Sequence, residues 1–224
     1  MALAHSPRIV TNGLVLYLDA GNIKSYPGSG TTWTDISGND NGGTLINEPT
    51  YDSANGGSIV FDGIDDYVDL GINRKLDNIL LGGRNWSISY WIKYTIDGRI
   101  LDNGNIGTDP AGTLELNTTA ITANNLGTSS SLSASLISSD WNCITLTKNS
   151  STLHSWYLNG TFSNSSTPAN DYITGGNTWK IGRRAFSTSA MYGGNLAQLC
   201  IYGRVLTAAE VQQNFNALRG RYRI

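Results

Sequence analysis

Hydrophobic and polar positions alternate along most of this chain, in short runs separated by clusters of Gly, Ser, Asn and Asp. The clearest run is Trp86-Ser-Ile-Ser-Tyr-Trp-Ile-Lys-Tyr. There Trp86, Ile88, Tyr90, Ile92 and Tyr94 share one face, and Ser87, Ser89, Trp91 and Lys93 share the other. A period of two is the repeat of a strand with one face in a core. Runs beginning at Leu14, Ser58, Tyr67, Trp141, His154, Trp179 and Leu196 read the same way, with Arg99-Ile-Leu and Thr113-Leu-Glu-Leu as shorter candidates. Asn159-Gly160 falls between two such runs and suits the positive φ angles of a tight hairpin. The Ser-rich stretch 124–139 is interrupted by Leu126, Leu132, Leu136 and Ile137, which suits a wide loop or an edge strand.

Near the C-terminus the period changes. Thr207 and Glu210 have the T-x-x-E spacing of a capping box, and Leu206 and Val211 occupy the positions of a hydrophobic staple. Val211, Phe215 and Leu218 then recur at helical spacing, and Gly220 supplies a stop. These signals predict one short helix over 207–219, followed by a basic tail.

The 224 residues suit one large β-sandwich, and neither a repeat nor a linker divides them. Residues 1–12, which include Pro7, lack the strand pattern and read as an extended arm, leaving 13–224 as the sandwich. At 14% charged residues the surface must be polar without being ionic, and the formal net charge of −2 gives no bias toward nucleic acid. No run is long and apolar enough to cross a membrane, and the first residues lack the features of a signal peptide, so synthesis without export is expected. Cys143 and Cys200 fall in predicted strands and are read as buried thiols in preference to a disulfide.

Several segments in order resemble the laminin-G-like branch of the concanavalin A-like lectin/glucanase superfamily. They are Gly13 to Asp19, Trp33 to Leu45, Phe61 to Val68, Trp141 to Leu146, Trp156 to Gly160, and Ile201 to Val211. The resemblance implies an all-β, two-sheet antiparallel jelly-roll sandwich with one short C-terminal helix. The two termini, Met1 to Gly13 and Asn214 to Tyr222, resemble stand-alone versions among tailed-phage structural proteins. That implies a virion-surface protein decorating or stabilising a particle, with other virion proteins and further copies of itself as partners. The alternative is an adhesin module that recognises host-surface glycans.

The superfamily includes glucanases, which carry paired carboxylates on one strand face. The glutamates here are Glu48, Glu115 and Glu210, and none has an acidic residue two positions away. A non-enzymatic role is therefore expected, with no cofactor required. The resemblance departs from relatives of pentraxin type after the Ile181-Gly182 strand, where Arg183-Arg184 replaces acidic metal ligands. A structural Ca²⁺ is instead weighed at two oxygen-rich turns, Asp35, Asn39 and Asn41 in one and Asp62, Asp65 and Asp66 in the other. Turns built by Asx hydrogen bonds are the plainer reading of both. For glycans, Trp91 on the polar face of its strand and Tyr94, Tyr172 and Tyr192 near loops are the aromatic candidates. For assembly, His5, Arg8, Arg219, Arg221 and Arg223 lie in the terminal segments.

Overall fold

The computed structural model describes residues 7–80, 83–103, 113–116, 121–125, 128–133, 140–169, 178–185 and 187–224. In chain order its elements begin with β1 (Leu14–Asp19), β2 (Thr32–Trp33), β3 (Gly43–Ile46), β4 (Thr50–Asp52), β5 (Ser58–Asp62), β6 (Tyr67–Ile72) and helix α1 (Arg74–Ile79). The middle holds β7 (Trp86–Ile96), β8 (Gly98–Leu101), β9 (Thr113–Leu116), β10 (Ile121–Asn125) and β11 (Thr128–Ser131). Then come β12 (Asn142–Lys148), β13 (His154–Leu158), β14 (Thr161–Ser166), β15 (Thr178–Ile181), β16 (Gly193–Tyr202) and helix α2 (Ala208–Tyr222).

The back sheet has the order β14-β13-β12-β7-β16-β5-β4, with β1 also pairing β16. Two four-stranded ladders, β11-β10-β9-β8 and β15-β6-β3-β2, face it. Asp102 and Lys180 exchange both backbone hydrogen bonds, at 2.9 and 2.8 Å, and so join β8 to β15. The two ladders thereby form one front sheet. Every strand pairing is antiparallel, as a jelly-roll sandwich requires. The alternation in β7 is obeyed: Trp86, Ile88, Tyr90, Ile92 and Tyr94 all enter the core between the sheets. Leu45, Val68, Leu70, Trp179 and Ile181 meet them from the front sheet. The Ser-rich stretch supplies part of the β10–β11 hairpin at the front-sheet edge.

Helix α2 covers the outer face of the back sheet. Thr207 caps it, its hydroxyl accepting from the Glu210 N–H while the Glu210 carboxylate accepts from the Thr207 N–H. Arg204 grips the same carboxylate through both terminal nitrogens, at 2.9 and 2.7 Å. Trp91 is 1% exposed. Its ring stacks on Phe215 at 5.6 Å and on Tyr222 at 4.2 Å. The serine-rich face of β7 is therefore an interior face, and the expectation that Trp91 is exposed is corrected. The helix also runs past Gly220, which was expected to end it, to an αL cap at Arg223. Gly in a helix interior costs about 1 kcal/mol. Extending the helix buries Tyr222 against Trp91 and Trp141, which more than offsets that amount.

The segment read as an extended arm is hydrogen-bonded along its described part. Val10 N–H donates to Asn214 Oδ1 at 2.8 Å, and the Tyr202 hydroxyl donates to the Val10 carbonyl at 3.0 Å. Gln213 and Arg204 hold the carbonyls of Arg8 and Asn12. Residues 8–12 are thus hydrogen-bonded to β16, α2 and the turn between them. Both cysteines are buried and unbridged beneath α2 and its flanking chain. Among the described residues no helix is long and apolar enough to cross a membrane.

Arg221 anchors the end of α2. Its guanidinium forms a two-pronged pair with Asp19, at 2.8 and 3.1 Å, and the Asp19 carboxylate is fully buried. Removing one partner of a buried pair strands the other charge. Arg221→Ala should therefore cost about 3 kcal/mol, read as a fall in Tm, whereas exposed Arg219→Ala should stay within about 0.5 kcal/mol. A second prediction concerns pH. The bond from Arg204 holds the Glu210 carboxyl down at about 2 against an ordinary 4.5. A depressed carboxyl stabilises the fold above its unfolded pKa, and this contribution is lost as pH falls through the folded value. Glu210→Gln keeps the cap but loses the charge, so its Tm should lie a few degrees below wild type at pH 7. Thermal melts should show the gap closing between pH 4.5 and about 2.

Candidate functional site

With α2 over the back sheet, the outer face of β15-β6-β3-β2 is a β-surface left open among the described residues. Strand register places four polar side chains in one row across it. Thr32 pairs with Thr44, Thr44 with Asp69, and Asp69 with Lys180. The row alternates with the core-facing row of Leu45, Val68 and Ile181, so period two alone sends it outward. Lys180 Nζ lies 2.6 Å from Asp69 Oδ2, and Asp69 Oδ1 accepts the Gly71 N–H at 2.8 Å. Gly71 has φ +69° with open space where a Cβ would stand, which keeps the floor low beside the row.

A groove of about 600 Å³ runs over this face. Thr32, Thr44, Ile46, Asp69 and Gly71 line its floor, and Thr34, Asp35 and Asp40 its end. Tyr67 pairs with Ile46 beside the groove. Lys180 Nζ and Arg183 Cζ lie 4.8 and 4.6 Å from its ring centroid, a cation–π arrangement that fixes the ring. Carbonyls of Arg184 and Ser187 hold the Arg183 guanidinium there. Hydroxyls, carboxylates and a low floor make a surface for a polar, multiply hydroxylated ligand.

The end wall is the loop 34–42, and Asp35 builds it. Asp35 Oδ1 accepts from the N–H groups of Tyr17 and Ser37, each at 2.8 Å, and Oδ2 accepts from the Asn41 N–H and the Ser37 hydroxyl. Asn39 and Asn41 donate to the carbonyls of Leu14 and Val15 on β1. All three residues proposed as calcium ligands in this loop are thus fastened into the fold. Asp40 differs: it stands exposed at φ 59°, and no partner meets its carboxylate among the described residues.

The second oxygen-rich turn lies elsewhere. Loop 34–42 leads into β3 at Gly43, whereas the turn at 62–66 sits by the other end, where Ile46 pairs with Tyr67 and Asn47 Nδ2 donates to the Asp65 carbonyl. Four residues of strand separate the two turns by roughly 10 Å. The shared calcium site that both turns would have formed is not assembled. Asp62, Asp65 and Asp66 do bring one carboxylate oxygen each within 4.8 Å of the others. Donation from the Ile64 N–H holds the Asp62 carboxyl below its ordinary range, while burial raises that of Asp66.

The aromatic candidates fare otherwise than expected. Trp91, Tyr94 and Tyr192 are all at most 5% exposed. Trp91 lies beneath α2, Tyr94 points into the core, and the Tyr192 hydroxyl donates to the Asn195 carbonyl at 2.9 Å. Tyr172 and His5 lie outside the described residues. Of the assembly candidates, Arg8, Arg219 and Arg223 are exposed, and Arg221 is engaged by Asp19. The groove residues Thr32, Asp40, Thr44 and Asp69, and Lys180 beside Asp69, went unrecognised. Alternation in Tyr67-Val-Asp-Leu marks Asp69 as outward, but nothing local pairs it with Lys180.

The architecture is that of a sandwich with one face sealed by a helix and the other left open as a polar groove. The chain belongs to the concanavalin A-like lectin/glucanases superfamily, whose laminin-G-type family model matches residues 61–212, more than half of its length. No curated protein matches its sequence. Among solved structures it resembles the binding domain of Paraclostridial Mosquitocidal Protein 1, with TM-score 0.72 and 17% identity over 92% of this chain and 52% of that one. Domain 4 of AbnA, an extracellular GH43 arabinanase of Geobacillus stearothermophilus solved with arabinotriose, gives 0.66 and 17% over 90% and 97%. Botulinum neurotoxin type C, which depends on interaction with two ganglioside molecules to enter cells, gives 0.70 and 14% over 93% and 52%. The chain spans about half the length of the two toxin chains. At these identities the likeness is one of fold.

The Asp35 network predicts how the two turns respond to calcium. Asp35→Ala removes the acceptor of four hydrogen bonds and should lower Tm by the same amount in millimolar Ca²⁺ and in EDTA. A calcium-dependent difference in thermal melts would return Asp35 to the list of ligands.

Proposed function

We propose that this domain is a non-catalytic carbohydrate-binding module that takes its ligand in the groove over β2, β3 and β6. One observation carries the reading: the row Thr32–Thr44–Asp69 lies across an open groove on the face that α2 leaves bare, with Lys180 pairing Asp69 at the end of the row. Hydroxyl-rich ligands need donors and acceptors at fixed spacing, and strands hold them more rigidly than loops do. Two neighbours support the reading, a domain solved with arabinotriose and a toxin that uses gangliosides. The mosquitocidal protein is matched at its binding domain, which supports a binding role here.

A role on a phage particle is the other reading of the sequence, and the comparisons lend it no support. The termini that suggested it are partly engaged in the fold, Arg8 through its carbonyl and Arg221 through Asp19.

Isothermal titration against arabinotriose and other neutral oligosaccharides tests the proposal. Wild type should give saturable heat, and Thr44→Arg, which fills the floor without touching the core, should abolish it with Tm almost unchanged. Binding by Thr44→Arg at wild-type affinity would place the ligand elsewhere.

A further inference from the structure

Resting on that carbohydrate-binding reading, we infer that Asp69 is the acceptor on which the ligand is recognised, that it takes two adjacent hydroxyls of one sugar ring, and that Lys180 is the residue that positions it.

Asp35, Asp40 and Asp69 line the groove, and their hydrogen bonds set them apart. A carboxylate has about four lone-pair sites, two on each oxygen. Asp35 uses all of its own on the fold, with two donors on Oδ1 and two on Oδ2. Asp40 has no partner among the described residues, so its side chain turns freely and ordering it would oppose binding. Asp69 stands between these extremes. Lys180 Nζ donates to Oδ2 at 2.6 Å, the Gly71 N–H donates to Oδ1 at 2.8 Å, and no further donor reaches it among the described residues. One bond on each oxygen holds the carboxylate in place and leaves each oxygen a free lone pair. The ion pair is also asymmetric. The Lys180 side chain is 9% exposed and lies against the Tyr67 ring, whereas that of Asp69 is 31% exposed. A ligand in the groove therefore meets the carboxylate and not the ammonium. Gly71 keeps the space beside it open, with nothing within 4 Å of where a Cβ would stand. Thr44, paired with Asp69, offers a hydroxyl about 5 Å along the row. Two acceptors side by side on one held group match two donors side by side on a ring, as adjacent sugar hydroxyls supply. A pair with one oxygen methylated leaves one acceptor without its donor. Lys180 and Asp69 together are neutral, so the preference concerns the arrangement of hydroxyls and not the charge of the ligand.

The test is isothermal titration with a panel of arabinotriose, maltotriose and cellotriose. The tightest binder is compared with the same sugar methylated at one hydroxyl of each adjacent pair. Methylation should weaken binding to wild type about tenfold or more. Asp69→Asn keeps the size of the side chain but turns one acceptor into a donor. It should weaken the unmodified sugar to a similar degree, and methylation should then cost it little further, because both changes remove one contact. Lys180→Met should weaken binding severalfold and level the preference for the unmethylated sugar, whereas Lys180→Arg, which keeps a cation, should retain part of both. Asp69→Asn at wild-type affinity, or a methylated sugar bound as tightly as the free one, overturns the inference. If Thr44→Arg still abolishes binding in that case, the groove remains the binding site. Lys180→Met with wild-type affinity and preference overturns the positioning role. Should Asp69→Asn fail to fold, the methylated sugar on wild type decides the matter alone. If no trisaccharide binds wild type, the carbohydrate reading itself falls and this inference with it.

Discussion

The pairing of Arg221 with Asp19 closes a helix over the back of the sandwich, and that closure decides which face is left to bind. Asp19 ends β1 with its carboxylate fully buried, receiving Arg221 and also the Gly21 N–H and the Tyr17 hydroxyl. A buried carboxylate without a partner is costly enough that the cation is obligatory. Holding Arg221 there brings Tyr222 and Phe215 onto Trp91, and the stack converts an outward row of β7 into a second interior. A sandwich has two outer faces, and here one of them is filled by aromatic rings.

Among the described residues the front face has no such cover. Its continuity depends on Lys180, whose backbone exchanges two hydrogen bonds with Asp102 and so joins the two ladders. The same residue sends its ammonium to Asp69 at one end of the polar row. Fold and site therefore meet at one residue: its main chain builds the sheet, and its ammonium holds Asp69, which lines the groove. The loop that ends the groove is likewise rigid, because Asp35 ties it to β1 by way of the Tyr17 N–H. The groove is thus formed before any ligand arrives, which keeps the ordering cost of binding small.

Local pattern revealed much of the fold and little of the site. Alternation in β7 and the capping box at Thr207 and Glu210 are signals contained within a few residues, and the structure obeys both. Trp91 was misjudged because the residues that bury it, Phe215 and Tyr222, come more than a hundred positions later. The same holds for the groove. Thr32, Thr44, Asp69 and Lys180 lie on four strands, and only pairing register aligns them. Conversely, Asp35 and Asp62 share an oxygen-rich composition that says nothing of distance, and a strand between them keeps their loops apart.

Mapping amide chemical shifts during titration with a neutral oligosaccharide tests the central claim most directly. The account predicts that perturbations cluster on residues 32–46 and 67–71 and around Lys180, with α2 and the outer face of β7 silent. Perturbations centred on α2 and the aromatic stack around Trp91, with the front face unmoved, would contradict it.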